Sequence, residues 1–178
     1  MLSRMDAQGV VSDGAMQVSA KDRAADKMYF YLPALSGGGA ELVFVRISNA
    51  LVGRGTAVQM ILNRRQGPFL PMLDPRVEII ELGQAVSLRA LPALVRHLRR
   101  ERPRRVISAM TTLNLAAILA TMVSGSGTKV IACERNTFSE VTRNTHPARR
   151  GLLIRLVRLL SPRAARVIGN TQGVADDI

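Results

Sequence analysis

Apolar residues fall along this chain in two alternating rhythms, short unbroken runs and longer stretches with helical spacing. The runs 28–33 (MYFYLP), 56–62, 76–82 (RVEIIEL), 105–110, 129–133 (KVIAC) and 165–168 have the length of strands. Between them, 40–54 places Val43, Ile47, Ala50 and Leu51 on one helical face. Gly53 and Gly55 bracket the end of that helix, where glycine takes a left-handed conformation easily. A second helix begins near Ser87, read as its cap, carries Pro92 near its start, and stops at Pro103. Its apolar side is Leu91, Leu94, Val95 and Leu98; its basic side is Arg96, Arg99 and Arg100. The stretch 112–123 is apolar on all sides and so belongs in the interior. A further helix covers 147–160, and 171–178 begins as a helix with Asn170 or Thr171 as cap.

Short strands alternating with helices of about a dozen residues predict right-handed βαβ units. The fold class is therefore α/β, a doubly wound parallel sheet with helices on both faces. Residues 1–27 are polar, small and mixed in charge, and read as a flexible leader; starts at Met16 or Met28 are alternatives. Residues 28–178 form one domain. The sequence ends at Asp176-Asp177-Ile178, inside the second turn of a helix. A one-turn helix does not support itself, so further chain is expected to belong here.

Composition narrows the partners more than the fold. Lys and Arg number 25 against 13 acids, a net charge of +12, which favours anionic partners such as phosphate esters, acidic lipids or nucleic acid. No stretch reaches the ~20 apolar residues of a spanning helix. Cys133 is the one cysteine and there are two histidines, His97 and His146, so no internal disulfide is possible and no zinc site is expected. Cys133 reads as a strand residue, His97 as a solvated member of an arginine run, and His146 as a surface loop residue.

The strongest local signal is the loop Ser36-Gly37-Gly38-Gly39-Ala40-Glu41, between the first strand and the first helix. Open parallel sheets bind ligands at that edge. Glycines let a ligand approach the backbone, and a helix N-terminus favours an anion. A diphosphate or a sugar hydroxyl suits such a loop; a plain turn is the alternative. It is not the G-x-G-x-x-G fingerprint of dinucleotide sites, because Leu42 stands where the third glycine would fall. Arg64 and Arg65 after the second strand leave an NADP site open as a lesser reading. A triphosphate-binding loop ending Gly-Lys-Ser/Thr is absent, as is a D-x-D pair for a nucleotide-bound metal.

Two further loops fall at the same edge: 110–114, with Thr112 and Asn114, and 133–137, with Glu134, Arg135 and Asn136. Thr112 and Asn114 read equally as caps or as ligand contacts, while Arg135 and Asn136 lean to ligand contact. The run 96–105 (RHLRRERPRR) has no interleaved aromatic for base stacking, so nucleic acid is disfavoured against a solvated or lipid-facing surface. On 147–160, Leu152, Leu153, Leu156, Val157 and Leu160 mix with Arg149, Arg150, Arg155 and Arg158. Such a helix either packs its leucines on the sheet or lies on an anionic membrane surface, and both hold if only the arginine rim meets lipid.

Taken in order, SGGGAE, the run Leu88-Arg89-Ala90-Leu91-Pro92, Asn114, Glu134-Arg135-Asn136 and Asn170-Thr171-Gln172-Gly173-Val174-Ala175 resemble the N-terminal domain of family 4 glycosyltransferases of the GT-B fold. The resemblance implies a Rossmann-like half of a GT-B architecture. It implies hexosyl transfer from a nucleotide-sugar with retention of configuration, no metal and no cofactor beyond the donor co-substrate. It places substrate and phosphate contacts at Gly37, Gly38, Gly39, Glu41, Thr112, Asn114, Glu134, Arg135, Asn136 and Thr171, with no catalytic residue assigned. It implies a glycan or lipid-linked acceptor, as in polysaccharide biosynthesis, and a cytoplasmic protein peripheral to the inner membrane face. Two departures stand out. The C-terminal donor domain of the family is missing, which implies inactivity of this chain alone, and Arg135 stands where relatives often have His. A non-catalytic phosphate- or nucleotide-binding module, or an NADP-binding domain, is the alternative.

Overall fold

The computed structural model describes residues 27–135, 141, 143, 145–169, 171 and 174. Among these, six strands form one parallel sheet in the order β3-β2-β1-β4-β5-β6. The strands are β1 (Met28–Leu32), β2 (Val58–Leu62), β3 (Glu78–Glu81), β4 (Arg105–Ala109), β5 (Lys129–Glu134) and β6 (Arg166–Gly169). The helices are α1 (Gly39–Gly53), α2 (Ser87–Glu101), α3 (Thr111–Ser124) and α4 (Pro147–Leu160). The chain starts in the middle of the sheet, runs outward through β2 and β3, then returns to the other side of β1. This reversal puts the switch point between β1 and β4, where the two loops leaving the carboxyl ends of the strands diverge.

Alternation along the strands divides the core in two. Tyr29, Tyr31 and Ile61 face Leu94 and Leu98 of α2 and Ile118 of α3. Phe30, Leu32, Met60 and Leu62 face Phe44, Val45 and Val52 of α1. Phe30 and Phe44 meet edge to face with ring centroids 5.2 Å apart. Strand β2 is buried throughout, as a central parallel strand covered on both faces must be.

The strands and helices expected between 28 and 168 are present, with corrections of face and detail, while the helix expected over 171–178 lies outside the described residues apart from Thr171 and Val174. In α1 the buried positions are Glu41, Phe44, Val45, Ser48 and Val52, whereas Val43 and Ile47 are exposed. The helix is apolar on two sides, and the bulk of Phe44 selects the inward one. Ser87 is the first residue of α2, not its cap; Val86 precedes it, and Pro92 lies inside the helix. Helix α3 is buried from Leu113 to Ile118 and at Ala120, as its composition required, but Thr112 near its start and Met122 and Val123 at its end are exposed. In α4, Leu153, Leu156 and Val157 pack on the core and Leu160 is buried, while Leu152 and Leu159 stay outside. The leucines thus divide between the two readings of that helix. His97 is not solvated: it is 5% exposed and meets Gln59 Oε1 through Nε2 at 2.7 Å. Among the described residues no helix is long and apolar enough to cross a membrane.

Candidate functional site

Parallel pairing aligns the carboxyl ends of β1, β4 and β5, so the loops after them share one edge of the sheet. The first is the glycine loop. Its shape comes from an internal anion: Glu41 Oε2 accepts the Gly37 N–H at 2.8 Å and the Gly38 N–H at 3.0 Å. Glu41 is 5% exposed, so this carboxylate is part of the loop's framework. Helix α1 begins its ladder with Leu42 N donating to Gly38 O. The amides of Gly39, Ala40 and Glu41 therefore have no acceptor within the helix and form its electropositive end.

The three glycines are not equivalent. Gly37 has φ +114, a backbone conformation that other residues rarely adopt. Gly38 has φ −75 and ψ 150, which any residue accepts. A Cβ on Gly38 would approach only the Glu41 carboxylate, at 3.6 Å or more, and one on Gly39 would meet nothing within 4 Å. Neither Gly38 nor Gly39 is demanded by the fold, and at Gly39 the missing side chain leaves open space.

Behind this loop lies a support that sequence reading missed. Leu35 N donates to Gln66 O at 2.9 Å and Phe69 N to Leu35 O at 3.3 Å, so the turn after β2 clasps the start of the loop. Gly67, at φ +119, passes so close that a Cβ there would lie 2.0 Å from Leu35 O. The cue available in the sequence was a lone glycine before Pro68 in a turn-rich stretch.

The second wall is the joint between β4 and α3. Met110 has φ 78 and ψ 139, a strained conformation for a residue with a side chain. Its N–H donates to Cys133 O at 3.2 Å. Around it, Asn114 Nδ2 donates to Glu134 Oε1 at 2.7 Å and to Cys133 O at 3.2 Å, and Thr111 Oγ1 donates to Glu134 Oε2 at 2.8 Å. Ser108 Oγ donates to Asn114 Oδ1 at 2.6 Å. Both oxygens of Glu134 are thus engaged, and burial pushes its pKa above the ordinary carboxylate value, against the pull of the bonds from Asn114 and Thr111. Asn114 is 2% exposed and acts as a tie beam between α3 and β5, neither a cap nor a surface group.

Of the expected contacts, Gly37, Gly38, Gly39, Glu41, Asn114 and Glu134 come to this edge, with Arg135 half-exposed just beyond β5. Thr112 is exposed, whereas its neighbour Thr111 makes the bond to Glu134. Thr171 Oγ1 accepts the Val174 N–H at 3.3 Å, a capping bond. Asn136 lies outside the described residues. Cys133 is a half-buried strand residue whose thiol pKa is raised by burial, with the Arg135 charge opposing. His146 Nδ1 accepts the Ala148 N–H at 3.3 Å and caps α4. No group of three or more His, Cys, Asp or Glu is placed to hold a metal ion among the described residues.

A third polar set lies after β2: Tyr31 Oη donates to Asn63 Oδ1 at 2.8 Å and Asn63 Nδ2 to Ser87 Oγ at 3.3 Å. Burial pushes the Tyr31 hydroxyl up to about 12, so it stays a donor at any physiological pH. Through Asn63 it ties the end of β2 to β1 and to the start of α2.

The profile of Glycosyltransferase Family 4 matches residues 37–178. No match was found among curated proteins. Among solved structures, the apo form of the lipopolysaccharide outer core galactosyltransferase WaaB is similar at TM-score 0.59 and 15% identity, over 85% of this chain and 41% of that one. HepE of Anabaena, solved in complex with UDP, is similar at TM-score 0.58 and 17% identity, over 84% of this chain and 40% of that one. At such identities these likenesses establish the fold, and the chain spans about two-fifths of the length of either structure.

Proposed function

The chain belongs to glycosyltransferase family 4, and from that premise we propose that it forms the acceptor-side half of an enzyme moving a sugar from a nucleotide-sugar to a glycan or lipid-linked acceptor. The observation that carries this reading is the pair Gly38 and Gly39, kept bare beside a helix N-terminus although the fold accepts side chains there. That bareness suits a ligand pressed against the backbone. HepE was solved with UDP, and a nucleotide-sugar donor on this chain is the corresponding proposal.

The chemistry follows from the charge that develops in such a transfer. The sugar gains oxocarbenium character while the leaving diphosphate gains negative charge. Amides at the start of α1 stabilise that charge more in the transition state than in the ground state. The reaction is read as hexosyl transfer with retention and without metal. Half a crevice does not exclude water, so this half is expected to be inactive without a donor-side domain. The protein is read as cytoplasmic and peripheral to an anionic membrane surface, in keeping with its +12 charge.

Titration of the chain with nucleotide-sugars, and separately with NADPH, followed through backbone amide resonances, tests this. A nucleotide-sugar is expected to perturb Gly38, Gly39 and the start of α3. Tight NADPH binding without any nucleotide-sugar response would overturn the reading in favour of an NADP domain at Arg64 and Arg65. In a transfer-competent form of the protein, Gly38→Val is expected to abolish transfer while leaving the melting temperature unchanged; normal turnover would remove the loop from the site.

A further inference from the structure

The arginine run at 96–105 takes no part in the crevice, because the fold sends its end to the opposite, amino end of the strands. Strand β4 begins at Arg105 and β5 at Lys129, side by side, and Arg166 at the start of β6 pairs with Ile131. Lys129 N donates to Arg104 O at 3.0 Å. Arg99, in the last turn of α2, donates to the carbonyls of Val123 and Ser124 at the end of α3, each at 3.3 Å. Arg163, in the turn Ser161–Arg163 leading into β6, donates to Leu159 O at the end of α4. These bonds join three helix ends and three strand starts into one continuous face.

All of these basic residues are exposed. No acid lies between Glu101 and Glu134 in the sequence, and Glu101 at the rim is paired with Arg100 at 3.0 Å. The same face carries exposed apolar side chains: Met122 at 50%, Val123 at 54% and Leu159 at 58%. Cations interleaved with exposed aliphatic groups, and no aromatic among the residues forming the face, suit a charged interface with an apolar layer beneath it. Stacked nucleic-acid bases would need aromatic platforms.

We propose that this amino-edge face docks the protein on an anionic lipid bilayer, with the arginines among the phosphates and Met122, Val123 and Leu159 in the interfacial layer. The proposal deepens the membrane part of the proposed function and is independent of sugar transfer. It moves docking away from the side of α4, whose inner leucines are committed to the core. The face lies at the far end of the strands from the crevice, so docking leaves the crevice open.

The test is flotation of the 178-residue chain with vesicles of phosphatidylcholine alone or with about 30% phosphatidylglycerol, at ionic strengths of about 0.1 and 0.5 M. Binding is expected only to the anionic vesicles and to fall at least ~10-fold at the higher salt. Arg104→Glu with Lys129→Glu is expected to weaken partitioning by about 25-fold or more, roughly fivefold for each positive charge removed. Arg64→Glu with Arg65→Glu, the same charge change at the crevice edge, is expected to weaken it less than ~3-fold, since screening shortens its reach. Met122→Ser with Val123→Ser is expected to weaken it severalfold with no change in net charge. Equal losses in the two charge variants, or equal binding to neutral vesicles, would overturn the proposal. Tighter binding to duplex DNA than to anionic vesicles would overturn it as well, in favour of a nucleic-acid face.

Discussion

Two carboxylates stand at the crevice, and they are held in opposite ways. Glu41 binds backbone amides three and four residues before it in the sequence. Glu134 binds side chains 20 and 23 residues away, on another element. The first is a local device, complete once the loop and the first turn of α1 exist. The second exists only when α3 is docked against β5. The glycine loop can therefore keep its shape with little help from the rest of the sheet, whereas the β4–α3 joint is a product of tertiary packing. A site built this way has one self-contained wall and one wall that reports on the integrity of the sheet.

The sharpest way to break this contrast is to remove the support behind the local wall while leaving both carboxylates intact. Gly67→Ala places a Cβ 2.0 Å from Leu35 O at a positive φ, and the obstacle is backbone. A loss of about 4 kcal/mol in urea denaturation is expected, at the upper end of single substitutions. The Gly37 and Gly38 amides should nevertheless keep their exchange protection relative to the rest of the sheet, because Glu41 still accepts from both. If the loop loses that protection selectively in the variant, the clasp from the β2 turn holds it and the first wall is not self-contained.

The non-local wall is tested by Glu134→Ala. Thr111 Oγ1 would lose its acceptor and Asn114 Nδ2 would keep only Cys133 O. With hydrogen bonds to a charged group worth about 1.5–3 kcal/mol, a loss of about 2 kcal/mol is expected. Glu134→Gln should retain roughly half of the stability, since its amide keeps one acceptor for Asn114 and the Thr111 hydroxyl can turn to accept from the other end. In a Met110→Gly background the joint is no longer strained, and Glu134→Ala should destabilise it less. Additive effects of Met110→Gly and Glu134→Ala would show that Glu134 does not brace that backbone. On the local side, Glu41→Ala should lower stability by about 1 kcal/mol, the scale of a lost N-terminal cap, because water can reach the exposed glycines.

This difference also explains what could be read from the sequence. The alternation of strands and helices, the parallel sheet and the placing of the glycine loop rest on period and position, and the folded chain follows them. The inward face of α1 was misassigned because Val43 and Ile47 satisfy the helical period as well as Phe44 and Val45 do; only the neighbour Phe30 decides between them. Thr111, Ser108 and Gly67 escaped because their partners are distant in sequence, and a threonine that ties two elements looks like any other. His97 sits among arginines in sequence, yet its helix turns it under the sheet to Gln59. Polar residues that meet across elements leave no periodic trace.

The smallest expected effect is the most diagnostic, because the buried titrating groups act with opposite sign. Burial lowers the His97 pKa below 6.5, opposed by the charges of Glu101 and Glu78 and assisted by Arg100 and Lys27. The folded state therefore resists protonation there. Its contribution to stability is present above about 6.5 and is lost as pH falls through the lowered folded value. Burial raises the Glu134 pKa above 4.5, so the folded state binds that proton more tightly than the unfolded chain. Its contribution is fully present below about 4.5 and is lost as pH rises through the raised folded value. Glu134→Gln, which cannot titrate, should fall behind the parent protein progressively as the pH of urea denaturation is lowered through that window. His97→Gln should gain on the parent over the window beginning near 6.5. If Glu134→Gln instead runs parallel to the parent from pH 7 to pH 4, the carboxylate is better solvated than its place between Thr111 and Asn114 implies, and the second wall is looser than the first.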